Sequence, residues 1–161
     1  MGKGNAAAVA GVVFVAAVVA VAREPAKPAA AGLAGNPAEV VTGAGPGGGP
    51  HVRTFRADGT PAGASFLSGS GRGGVAVATG DWDGDGDQEI ITGSGPGDGA
   101  TLRVYNQDGS GPVATFVAYP EFVGGITVAA ADLDPRPGQE IVTAPGWGGG
   151  PHVKVFSRAA D

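Results

Sequence analysis

The segment EIITGSGPGDGATLRVY, Glu89 to Tyr105, returns as EVVTGAGPGGGPHVRTF at Glu39 to Phe55 and as EIVTAPGWGGGPHVKVF at Glu140 to Phe156. The three copies align without a gap and start 50 and 51 residues apart. A fixed period of that size means one supersecondary unit used repeatedly, each copy relying on its neighbour to cover an apolar face. Around the middle copy, turn residues mark off four short apolar runs: GVAVATG (74 to 80), EIITG (89 to 93), TLRVYN (101 to 106) and VATFVAY (113 to 119). The stretches between them are rich in Gly, Asp and Ser, the residues that tight turns favour. Four short antiparallel strands per repeat of roughly fifty residues describe a blade of a β-propeller. A β-sandwich would offer no reason for the repeat.

Composition agrees with an all-β reading. Thirty-two Gly and thirteen Pro among 161 residues leave no room for long helices. Val, Ile, Leu and Phe nevertheless recur in blocks able to bury a face, which disordered chains lack. The net charge is −5 and the ten Lys and Arg are scattered, so the basic stripe needed to follow a phosphate backbone is missing and nucleic acid is not expected as a partner. Without cysteine there are neither disulfides nor thiolate-bound zinc, and any staple must be of another kind.

The N-terminus differs in kind. Residues 6 to 22, AAAVAGVVFVAAVVAVA, are uncharged, follow Lys3, and end in Ala20-Val21-Ala22 before REPAKP. That pattern predicts a secretory signal peptide over residues 1 to 22, or else a membrane or assembly anchor if the segment is retained. A Pro/Ala linker over 23 to 38 and a β-repeat domain over 39 to 161 follow. The expected location is outside the cell, secreted or at the surface. Any membrane contact would run through residues 6 to 22.

Strand runs number three, four and three in the successive copies, because Pro25 and Pro28 fall where the first copy needs its leading strand and the third copy shows no fourth run. Such an open array predicts self-association or completion by another repeat protein.

Between the first two runs of the middle copy lies DWDGDGDQE, Asp81 to Glu89. Asp81, Asp83 and Asp85 alternate, Gly86 is the sixth residue and Glu89 the ninth. Hard cations such as calcium take six to eight oxygens, and alternating carboxylates on a tight loop converge where a Gly permits the bend. Without an ion the carboxylates repel one another; with one they become a staple. Ca2+ is therefore the expected cofactor, held by Asp81, Asp83, Asp85, Asp87 through its backbone carbonyl, and Glu89. An EF-hand is excluded, since its twelfth position here is Thr92 and strands rather than helices flank the loop.

These features resemble the FG-GAP/VCBS-type repeats of integrin α-subunit propellers and of many bacterial secreted or surface proteins. The resemblance covers residues 39 to 161 and rests on DWDGDGDQEI followed by TGSGPG, and on GPGGGPHVRTF and GGGPHVKVF. It implies a calcium loop between two strands of a blade, at Asp81, Asp83, Asp85, Asp87 and Glu89. It also implies a closed, seven-bladed propeller in the best-known members, from which three repeats depart. In the third copy Asp132, Asp134 and Glu140 keep the matching places, but Arg136 replaces the third Asp and Pro137 the Gly, so a degenerate, metal-free loop is expected with the guanidinium as built-in cation. In the first copy Ala31, Leu33, Gly35 and Glu39 hold those places and no site can form.

Enzymatic chemistry finds no foothold. GAGPGG (43 to 48) matches a dinucleotide fingerprint formally, but Pro50 and a strand-like HVRTF follow instead of a helix. No serine stands in a G-x-S-x-G elbow. His51 and His152 share one repeat position without metal-ligand partners and read as structural. Trp82 and Trp147 lie in loops, suited either to packing or to a ligand. The function expected is a non-enzymatic, calcium-binding adhesion or ligand-binding module with a protein or glycan partner. The alternative is a structural subunit of a self-assembling extracellular filament or ring.

Overall fold

The computed structural model describes residues 40 to 158. The signal or anchor expected over 1 to 22 and the linker over 23 to 38, where the first copy is expected to lack its leading strand, lie outside the described residues. Among the described residues ten strands and no helix form: β1 (Val40–Gly43), β2 (His51–Phe55), β3 (Pro61–Leu67), β4 (Val75–Gly80), β5 (Glu89–Ser94), β6 (Thr101–Tyr105), β7 (Ala114–Val117), β8 (Ile126–Ala131), β9 (Glu140–Pro145) and β10 (Lys154–Phe156). They make three antiparallel sheets, one per repeat, in the orders β1-β2-β3, β4-β5-β6-β7 and β8-β9-β10. The three, four and three strands legible in the sequence are present, the four of the middle copy displaced by at most two residues at their ends.

Local chemistry sets the hairpins. Between β2 and β3 the Asp58 carboxylate accepts the Thr60 N–H at 2.9 Å, and between β6 and β7 Asp108 accepts the Ser110 N–H at 2.8 Å. Each of these Asx turns places the following glycine, Gly59 or Gly109, at positive φ, where a residue without Cβ carries no penalty.

Period-two alternation then gives the middle sheet two buried faces. On β6, Leu102 and Val104 point into a cluster with Ile91, Ile126 and Ile141, at the junction with the third sheet. Tyr105 faces the other way, sharing a cluster with Val52, Val75 and Ile90, and its ring meets Phe66 of the first sheet at 4.5 Å. The leading strands β4 and β8 lie closest, and each also packs on the preceding repeat's strand that matches β5, β4 on β1 and β8 on β5. Glycine makes that approach possible: a Cβ on Gly93 would stand 2.8 Å from Ile126 Cγ1, and one on Gly95 would strike the backbone of Gly73.

Polar bridges recur at the repeat period. Arg103 on β6 donates to the Ser68 carbonyl of the first sheet's last turn at 2.8 Å, and Lys154, at the same repeat position, donates to the Ala118 carbonyl at 2.7 Å. The Tyr119 hydroxyl lies between the carbonyl oxygens of Thr143 and His152, 2.8 Å from each. Successive repeats are thus joined by apolar burial and by charge-assisted bonds to carbonyls that no strand partner satisfies.

Leu102→Ala should cost about 2–5 kcal/mol in denaturant unfolding, because a fully buried side chain leaves a cavity between sheets. Val153→Ala, at the corresponding but largely exposed position of the third repeat, should cost less than about 1 kcal/mol.

Candidate metal centre

The acidic loop starts at the end of β4 and finishes on the first residue of β5. Asp81 organises it: one carboxylate oxygen accepts the Gly84 N–H at 2.7 Å and the other the Gly86 N–H at 3.1 Å. Both glycines adopt positive φ, 79° and 99°, which lets the chain double back over the carboxylate. Asp83 accepts the Asp85 N–H at 3.3 Å, and Asp85 accepts the Asp87 N–H at 2.8 Å. The alternating aspartates thereby build the turn with their own carboxylates.

At the far end Glu89 is buried, one oxygen accepting the Trp82 N–H at 2.8 Å. One carboxylate oxygen each from Asp81, Asp83 and Glu89 lies within 4.8 Å of the other two. Oxygens sharing one calcium at about 2.3–2.6 Å lie no more than about 5 Å apart, so this trio fits a single hard cation. The Asp85 carboxylate stands outside the trio, as does that of Asp87, whose expected ligand is its backbone carbonyl; both residues are exposed.

Burial pushes the Glu89 carboxyl above its usual range; the Trp82 N–H opposes that shift, while the charges of Asp83, Asp85 and Asp81 add to it. A cation among the three oxygens would offset those repulsions by its attraction for each carboxylate.

The loop does not stand alone. The Asp81 N–H donates to Gln139 Oε1 at 3.1 Å and the Gln139 N–H to the Asp81 carbonyl at 2.6 Å, pinning it to the corresponding loop of the third sheet. Arg158, beyond β10, donates to the Asp83 carbonyl at 3.1 Å, stands 3.8 Å from its carboxylate and lies over the Trp82 ring. Trp82 itself is half-buried and meets Phe116 edge-on at 6.2 Å. Sequence reading missed both partners. Gln139 could have been found, since Gln precedes Glu in DQE and in GQE; Arg158 lies 75 residues from Asp83 and carries no repeat signal.

The third-sheet loop shares the same frame with different contents. Glu140, buried, accepts the Leu133 N–H at 2.9 Å as Glu89 accepts that of Trp82. Arg136 Nε lies 3.0 and 2.9 Å from the two Asp134 oxygens, and its terminal nitrogen also reaches Asp134 and Ser157. The guanidinium holds Asp134 below the usual carboxylate range. Of the carboxylates it bonds Asp134 and not Asp132, which is exposed, and among the described residues no second trio forms at Asp132, Asp134 and Glu140. The first-copy positions Ala31, Leu33, Gly35 and Glu39 lie outside the described residues.

Elsewhere, His51 Nε2 lies 2.9 Å from Ser65 Oγ on the neighbouring strand, while the His152 ring packs edge-on to Tyr119 at 5.7 Å. One repeat position thus serves two different contacts. GAGPGG forms the turn between β1 and β2. Comparison with protein-family models, with curated proteins and with solved structures gave no match.

In chelator, raised acidity of the medium should favour the fold through Glu89: a carboxyl whose folded pKa is raised contributes stability below its unfolded pKa and loses it as pH climbs through the folded value. Melting of metal-free Glu89→Gln should therefore lose part of that pH dependence, while added calcium should stabilise it far less than wild type. Arg158→Ala removes a cation beside Asp83 and should tighten divalent binding about 2- to 5-fold at low salt, an effect that fades above an ionic strength of about 0.1 M; isothermal titration reads it directly.

Proposed function

We propose that this chain is a non-enzymatic, calcium-binding repeat module of β-propeller type that works outside the cell in adhesion or ligand binding. The observation that carries the reading is the convergence of Asp81, Asp83 and Glu89 oxygens on one point between two strands. Packing of β4 against β8, the leading strands of the second and third sheets, supports the propeller element of it, since blades around an axis meet through their leading strands.

Calcium has a mechanical task in this reading. The loop that would hold it also carries the Asp81 and Gln139 bonds to the third sheet, so removing carboxylate repulsion firms the junction between sheets as well as the turn. A loop offering three side-chain oxygens from one short segment belongs with modules of modest affinity, about 10⁻⁴–10⁻³ M, which suits extracellular calcium. Trp147, 94% exposed on the β9–β10 loop, supports a protein or glycan partner at that end. The structural-subunit reading is favoured by a different observation, the open apolar face of the third sheet at Val153 and Val155.

Calorimetry with CaCl2 and with MgCl2 tests the proposal. One calcium site per chain is expected, with stabilisation of about 2.7 kcal/mol at a hundredfold excess over Kd, and Asp81→Asn should abolish both. Absence of binding heat, together with a melting curve that chelator does not move, would overturn it.

A further inference from the structure

Residues 52, 102 and 153 occupy one position of the repeat, and 54, 104 and 155 another. Val52 and Thr54 are 0% and 2% exposed, and Val52 packs with Val75 and Ile90 of the second sheet. Leu102 and Val104 are both 0% exposed and pack with Ile126 and Ile141 of the third. Val153 and Val155 are 60% and 52% exposed. The same side-chain positions that each earlier sheet buries under its successor are therefore open on the third.

The opposite end of the stack shows the converse. Val40, Ile90 and Ile141 share a repeat position, as do Thr42, Thr92 and Thr143. Ile90 and Ile141 are buried at 1% and 0%, each under the preceding sheet, whereas Val40 is 47% exposed and Thr42 is exposed. Two interior junctions thus display the part of the contact that the open faces carry, an aliphatic residue at the Val40 position against a pair at the Val153 and Val155 positions, beside the leading-strand residues Val75 and Ile126.

We infer that a second copy of this chain docks head to tail, its Val40 face covering the Val153 and Val155 face and continuing the stack by the part of the contact that Ile90 and Ile141 make inside one chain. Two different faces meet, so the association is heterologous and proceeds to a ring or a filament according to the rotation per repeat. The inference rests on repeat equivalence and burial and does not depend on metal binding.

Sedimentation of the full chain over a range of concentrations, in calcium and in chelator, tests it with Val40→Asp and Val155→Asp. Wild type should gain mass with concentration. Each variant alone should sediment as one chain, and their equimolar mixture should sediment as two, because the mixture retains one intact copy of each face. Thr42→Asp and Val153→Asp provide a second pair on the same faces, and circular dichroism confirms that the sheets persist. A wild type that stays a single chain throughout, a mixture that stays monomeric, or a Val40→Asp protein that associates as well as wild type would each overturn the head-to-tail contact.

Discussion

Everything in this structure depends on sheets of three or four short strands being too small to hide their own apolar faces. Such a sheet has two faces and a few residues on each, and it becomes stable by lying against a neighbour. Here β4, β5 and β6 bury both faces, one against Val52 and Phe66, the other against Ile126 and Ile141. Gly93 and Gly95 matter because side chains there would hold the sheets apart and forfeit the dispersion contacts that depend on close approach.

Polar groups follow from that packing. Where the last strand of one sheet turns toward the first strand of the next, backbone carbonyls at Ser68 and Ala118 run out of strand partners, and a long basic side chain from the neighbouring sheet supplies the missing donor. Arg serves at one junction and Lys at the other, since a single charge-assisted bond to one carbonyl needs no guanidinium fork. Tyr119 completes the second junction with its hydroxyl, while its ring lies beneath the Lys154 ammonium at 4.9 Å.

The two acidic loops show one frame meeting two electrostatic solutions. In both, a buried Glu accepts a backbone N–H seven residues earlier and closes the loop onto the second strand of its sheet. At Asp134 the compensating charge is covalent, carried by Arg136. At Asp81, Asp83 and Glu89 the one described cation is Arg158, 3.8 Å from the Asp83 carboxylate and a looser contact than the one Arg136 makes to Asp134. That contrast is the physical ground for expecting a divalent ion at one loop and none at the other.

Amino-acid order alone determined the repeat, the strand positions and the turn chemistry, because each of these is local: alternation of apolar residues, Asp-Gly pairs in hairpins, and alternating carboxylates around Gly86 are properties of neighbours in the chain. It also placed Asp81, Asp83 and Glu89 in one loop, and the substitution of Arg136 was readable as a built-in charge. Tertiary structure decided which of the acidic residues converge, separating that trio from Asp85 and Asp87, since convergence depends on how far the chain doubles back over Asp81. It decided that Arg136 serves Asp134 without Asp132. It alone brought Gln139 and Arg158 to the loop and left Val153 open where Leu102 is buried, because contacts between sheets depend on which face each strand turns to its neighbour in space, and identical repeat positions become different environments once the stack has two ends.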